Sequence, residues 1–147
     1  MAFTCTVYGI AKPQPRPRRA KHGGVYTPQT ATEWKKAIVR AVREAGEFPA
    51  EPMTGPIYAN LQFFLPRPKR LAGPKYSDGP ILKATRPDID NYEKALLDCL
   101  GLGRGRQRDG LHAGLWVDDG QVCQSWCVKR YCGKDGEPRT HIYVEAI

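Results

Sequence analysis

The stretch IYANLQFFL, residues 57–65, places Ile57, Ala59, Leu61, Phe63 and Leu65 at alternate positions. Successive side chains of an extended strand point to opposite faces, so these five share one apolar face. Such a strand needs sheet neighbours and a covering layer to bury it. Short apolar runs that can serve as neighbours occur at residues 3–10, 115–117, 121–132 and 139–146. The covering layer has two candidates. Trp34, Ala37, Ile38, Ala41, Val42 and Ala45 recur at helical spacing behind a T-x-x-E capping signature, Thr30 and Glu33, and Gly46 stops the pattern. This helix turns Lys35, Lys36, Arg40 and Arg43 to solvent. A second helix over residues 91–100 would face the core with Ala95, Leu96, Cys99 and Leu100. Residues 134–137, Lys-Asp-Gly-Glu, read as the turn of a hairpin joining the last two strands. The expectation is an α+β fold, with residues 1–147 forming a single domain in which two α-helices pack on one mixed β-sheet.

Charge narrows the function. Lys and Arg number 23 against 15 Asp and Glu, a formal net charge of +8. The excess is clustered in Pro- or Gly-rich runs that read as loops. Lys12, Arg16, Arg18, Arg19 and Lys21 form one run. Arg67, Lys69, Arg70 and Lys75 form a second, inside a long Pro/Gly/Lys segment at 66–80. Arg104, Arg106 and Arg108 form a third. Basic loops on a compact core are the electrostatic footprint of nucleic-acid binding.

Other classes are disfavoured. Apolar residues make up 41% of the chain, too many for a disordered tail, and the longest apolar run is too short to span a bilayer. The start MAFTCTVYGI lacks the layout of a secretory signal, so a cytoplasmic location is expected. Five cysteines without such a signal argue against a disulfide framework, and the spacing of Cys123, Cys127 and Cys132 matches no compact zinc module. His22, His112 and His141 sit in loop, loop and terminal strand, and no nucleophilic triad is recognisable.

Acids inside this basic chain therefore stand out. Asp88 and Asp90 lie two residues apart, and in an extended segment both carboxylates point the same way. Lys94 and Asp98 follow at helical intervals. Two readings are open. Asp90 with Glu93 forms a D-x-x-E helix start, which accounts for both as a cap and leaves Asp88 unexplained. Alternatively the pair joins Asp118 and Asp119 in holding Mg²⁺, a hard cation that takes oxygen ligands and bridges to phosphate. Asp119-Gly120 is also an ordinary hairpin signal, with Asp118 then an extra acid.

The joint pattern D-x-D-N-x-x-K-A-x-x-D, here Asp88, Asp90, Asn91, Lys94, Ala95 and Asp98, is followed by Trp116, Asp118, Asp119, Gln121 and Val122, and then by Val128-Lys129. It resembles the RusA family of Holliday-junction resolvases over about a third of the chain. The resemblance implies a small homodimeric endonuclease that binds four-way DNA junctions and nicks two opposing strands. It implies Mg²⁺ as cofactor, with Mn²⁺ as a substitute. It places the catalytic acids on Asp88, Asp90 and Asp119, with Asp118 beside them as a further metal ligand, and the catalytic lysine on Lys94. It also implies a phage or prophage origin, since such genes are common there. Two departures occur: the segment 101–114 is longer than the family's usual connection, and Gly120 stands where Ser or Ala is common. Two rival functions are branched-DNA binding without cleavage and a less selective flap or branch nuclease.

Overall fold

The structure is a computed structural model that describes residues 1–103 and 110–147, so Arg104, Arg106 and Arg108 lie outside the described residues. Strand β1 (Ala2–Tyr8) is followed by the short pair β2 (Arg18–Arg19) and β3 (Val25–Tyr26). Helix α1 (Thr32–Glu44), strands β4 (Ile57–Leu65) and β5 (Ile81–Leu82), and helix α2 (Ile89–Leu100) come next. Strands β6 (Val122–Tyr131) and β7 (Arg139–Ala146) complete the order. The main sheet runs β1-β7-β4-β6-β5, and β2 with β3 forms a separate ribbon. The α+β expectation, two helices on a mixed sheet, is met.

The alternation in β4 puts it at the centre of this sheet. Ile57, Ala59, Leu61 and Phe63 are fully buried, and each of the larger three contributes about 1.5–3 kcal/mol by leaving water. They pack with Phe3, Ile142 and Val144 of the neighbouring strands and with Ile38, Val42, Leu96 and Leu100 of the helices. In α1 the buried stripe is Trp34, Ile38, Val39 and Val42, and Ala37 is exposed instead. The Thr30/Glu33 capping box is not formed. Ala31 is the N-cap without a side-chain bond, and it is itself buried, so core packing sets the entry of α1.

Two further expectations are corrected. Residues 134–137 do not close a hairpin between paired strands. Strand β4 lies between β6 and β7, parallel to the first and antiparallel to the second. Parallel neighbours need a crossover, and α2 lies in the one that links β4 to β6. Residues 115–117 do not form a strand either, beyond one bridge from Trp116 to Met53. Their neighbourhood serves the end of α2. The amides of Ala113 and Leu115 donate to the carbonyls of Cys99 and Leu100 at 2.7 and 2.9 Å, and Leu102 donates to Trp116 at 2.7 Å. Helix C-termini leave such carbonyls without intrahelical partners. This return strap carries Trp116 and the acids after it onto the end of α2.

Candidate active site

Helix α2 begins at Ile89, with Asp88 at the N-cap and Asp90 inside the first turn. The two acids are therefore not an extended pair, and Asp90 is not the cap. The Asp88 side chain makes no cap hydrogen bond. The capping explanation accordingly fails for both carboxylates. Asp90 still gains from the helix dipole, worth about 0.3–1 kcal/mol in a first turn.

Helical spacing then lines up Asp90, Lys94 and Asp98 on one face, with Glu93 and Leu97 beside them. These five and Asp119 line one open groove of about 310 Å³. Lys94 pairs with Asp98 at 3.5 Å. Glu93, passed over as a cap residue in the sequence, reaches Cys127 on β6, and burial together with Glu93 pushes that thiol up to about 12.

Asp119 arrives from the other side, on a 3-10 turn (Asp119–Gln121) rather than a hairpin. The fully buried Trp116 donates its indole N–H to Asp119 Oδ1 at 2.9 Å. That fixes one oxygen of the carboxylate. Asp118 Oδ1 accepts the Gly120 amide at 2.7 Å and so caps the turn. Asp118 borders a smaller cavity with Asp119, away from Asp90. Gln121 ties the turn down. Its Oε1 accepts the amides of Val117 and Asp118 at 3.0 and 2.9 Å, and its Nε2 donates to the carbonyls of Met53 and Gly55 at 3.0 and 3.1 Å.

The site also recruits α1 and the first basic loop. Gln14 donates its amide to Asn91 O at 2.8 Å and accepts Lys35 Nζ at 2.7 Å. Gln14, Lys35, Asp98 and Asp119 share a second cavity of about 490 Å³. Lys35 is thus a site residue that sequence periodicity assigned to solvent. A larger cavity of about 620 Å³ lies beside Val39, Arg43 and Phe48, and no carboxylate lines it among the described residues.

Segment 85–87, which leads into Asp88, is held by two lysines. Lys129 Nζ donates to Thr85 O and Pro87 O, both at 2.6 Å. Lys83 Nζ donates to Arg86 O at 2.6 Å and to Thr85 Oγ1 and O at 2.7 and 3.2 Å. The Arg86–Pro87 peptide bond is cis.

The predicted DNA contacts divide. Lys12, Arg16, Arg18, Arg19, Lys21, Lys69 and Arg70 are exposed, with Arg18 and Arg19 on the β2–β3 ribbon beside exposed Val25 and Tyr26. Arg67 is engaged elsewhere. Its guanidinium donates to the carbonyls of Leu71, Ser77 and Gly79 at 2.8, 2.7 and 3.1 Å, stapling the long loop after β4. His141 bonds Thr6 Oγ1 at 2.7 Å, and burial and the nearby Arg139 push its pKa below the ordinary imidazole value.

All five cysteines are free. Among the described residues, no three His, Cys, Asp or Glu side chains gather around one point as a metal cage would need. Asp90 and Asp98 are two turns apart, about 12 Å along the axis. The donor chemistry nevertheless suits Mg²⁺, which takes one or two carboxylates and keeps several waters rather than requiring an all-protein cage.

Comparison with known proteins gives two findings. The sequence profile of the family described as Endodeoxyribonuclease RusA matches residues 9–145. The uncharacterized protein YqaN of Bacillus subtilis (strain 168) is 28% identical over 149 residues, covering 97% of this chain and 94% of that protein. Among the described residues, no helix is long and apolar enough to cross a membrane.

Proposed function

Because the chain belongs to the RusA endodeoxyribonuclease family, we propose that it resolves four-way DNA junctions by Mg²⁺-dependent phosphodiester hydrolysis. The observation that carries this reading is the groove along α2. It sets Asp90, Lys94 and Asp119 against one solvent-open space, with Asp119 oriented by a buried indole.

Asp88, Asp90 and Asp119 would hold the cation, with Asp118 shaping the turn that presents Asp119. When bound, Mg²⁺ supplies Lewis acidity at the scissile phosphate and makes a coordinated water more acidic. Lys94, exposed and paired with Asp98 across one turn, stabilises negative charge growing on the phosphate oxygens. Gln14 and Lys35 line the neighbouring cavity that shares Asp98 and Asp119 with the groove, and Lys35 would add a second cation for the phosphodiester. Arg18, Arg19 and Lys21 on and beside the ribbon draw the DNA backbone in, so affinity falls as salt rises. Two copies of the chain related by a two-fold axis provide one groove for each opposing strand of the junction.

A competing reading, branched-DNA binding without cleavage, draws on the spread of the acids along α2. One experiment separates them. Junction nicking that requires Mg²⁺ supports the enzyme; tight junction binding with no metal-dependent nicking refutes it. Equal rates on flaps, forks, duplex and a mobile junction would refute selectivity for junctions.

A further inference from the structure

Lys83 and Lys129 pose a physical problem. Both ammonium groups turn onto three consecutive backbone carbonyls, those of Thr85, Arg86 and Pro87. Burial, with the neighbouring Lys83 ammonium as a second cause, pushes the Lys129 pKa down, while the Asp88 carboxylate opposes that shift. The repulsion between the two ammonium groups is offset by their four bonds to carbonyl oxygens and by the nearby Asp88 carboxylate, and those bonds tie the segment down. The grip is reinforced. The Tyr131 hydroxyl shares a 2.9 Å bond with Thr85 Oγ1, Lys83 lies over the Tyr131 ring at 5.3 Å, and the Lys83 amide bonds Lys129 O at 3.1 Å.

The location of the grip supplies its purpose. Lys129 extends from the inward face of β6, where its strand position is level with the fully buried Phe63. It therefore springs from a strand paired with the buried centre of the sheet. The residue following the clamped carbonyls is Asp88, the N-cap of α2, which has no cap bond of its own to hold it. Loop carboxylates need such support to act reproducibly, since a site loosened by an ångström loses much of its activity.

We infer that Lys83 and Lys129 are positioning residues that hold the Thr85–Arg86–Pro87 carbonyls and thereby fix Asp88 at the N-cap of α2, two residues before the groove-lining Asp90. Neither lysine touches the reacting phosphate in this scheme. The inference rests on the proposed role of Asp88 in metal binding.

The test uses the full chain with Lys129→Met, which keeps the stem and removes the ammonium, and Lys129→Arg, which keeps the charge. Two readouts apply. Backbone order parameters of Asp88, Ile89 and Asp90, measured without metal or DNA, should stand near about 0.85 in the native chain and drop below about 0.6 in Lys129→Met. Mn²⁺ affinity of the protein alone, followed by electron paramagnetic resonance, should weaken about 10- to 100-fold. Lys129→Arg should restore most of both. Unchanged order parameters in Lys129→Met would overturn the clamp. Lost order with unchanged Mn²⁺ affinity would overturn its link to the site. A native chain that binds no Mn²⁺ would instead refute the metal reading of Asp88, and the order parameters alone would then decide the clamp.

Discussion

Gly101, the residue that ends α2, offers the sharpest perturbation of the site without touching an acid. Its φ of −76° and ψ of 179° are open to alanine, so Gly101→Ala brings no backbone strain. The added methyl is another matter. It would lie 2.6 Å from Asp119 Oδ1 and 2.6 Å from Trp116 Nε1, against both atoms of the bond that orients the Asp119 carboxylate. Contacts that short are not tolerated, so the pair must part. A hydrogen bond to a charged acceptor contributes about 1.5–3 kcal/mol. Removing glycine from the unfolded chain returns about 0.4–1 kcal/mol. The net loss is about 0.5–2.6 kcal/mol, or about 1–10 °C in melting temperature for a chain of this size. Nicking should fall further than stability suggests, by about 10- to 100-fold at fixed Mg²⁺, with partial recovery at higher Mg²⁺. The assay is single-turnover cleavage of a four-way junction across a Mg²⁺ titration, alongside thermal unfolding. A Gly101→Ala protein with native melting and native Mg²⁺ half-saturation would refute the claim that Trp116 positions Asp119.

Asp90→Asn should cost at most about 1 kcal/mol, the first-turn dipole contribution, while cleavage falls at least about 100-fold and junction binding survives; loss of stability with intact specific activity would restore a purely structural role. Thr140→Val should raise stability by about 1 kcal/mol in thermal unfolding, because Thr140 Oγ1 is buried without a partner among the described residues. Replacing Arg18 and Arg19 with Ala should lower the slope of log affinity against log salt by about 2, at about 0.9 per phosphate contact. Arg67→Ala should leave that slope unchanged and lower the melting temperature instead, since its guanidinium holds three loop carbonyls.

What the sequence disclosed followed from local periodicity. The period-two pattern of Ile57 to Phe63 identified the central strand because every inward position is buried. Ala95, Leu96, Cys99 and Leu100 identified the inner face of α2, and that face in turn leaves Asp90, Lys94 and Asp98 outside. Features that depend on long-range pairing were misread. The Lys134–Glu137 turn signal is real locally, but no local signal reports that β4 inserts between the strands on either side. The apolar run at 115–117 looks like a strand, although the backbone around it completes the end of a helix instead. Gly101 and Lys35 carry no motif at all, and Gln121 stands in the joint pattern without a role assigned to it. Their roles exist only once the strap after α2 folds back and places Trp116 and Asp119 beside the helix. The placement of Asp88 and Asp90 was off by two residues, because a D-x-x-E pattern suits a cap at Asp90 and the Pro87-Asp88 step suits one at Asp88 equally well.

On the proposed function, this groove cuts branched DNA with the help of Mg²⁺. A nicking assay on a mobile four-way junction, mapped to the nucleotide and run with Mg²⁺ and with chelator, tests it most directly. The account predicts paired nicks at symmetric positions in two opposing strands, seen only with Mg²⁺ and lost in Asp119→Asn. Tight binding of the junction with intact strands at every Mg²⁺ concentration would contradict it.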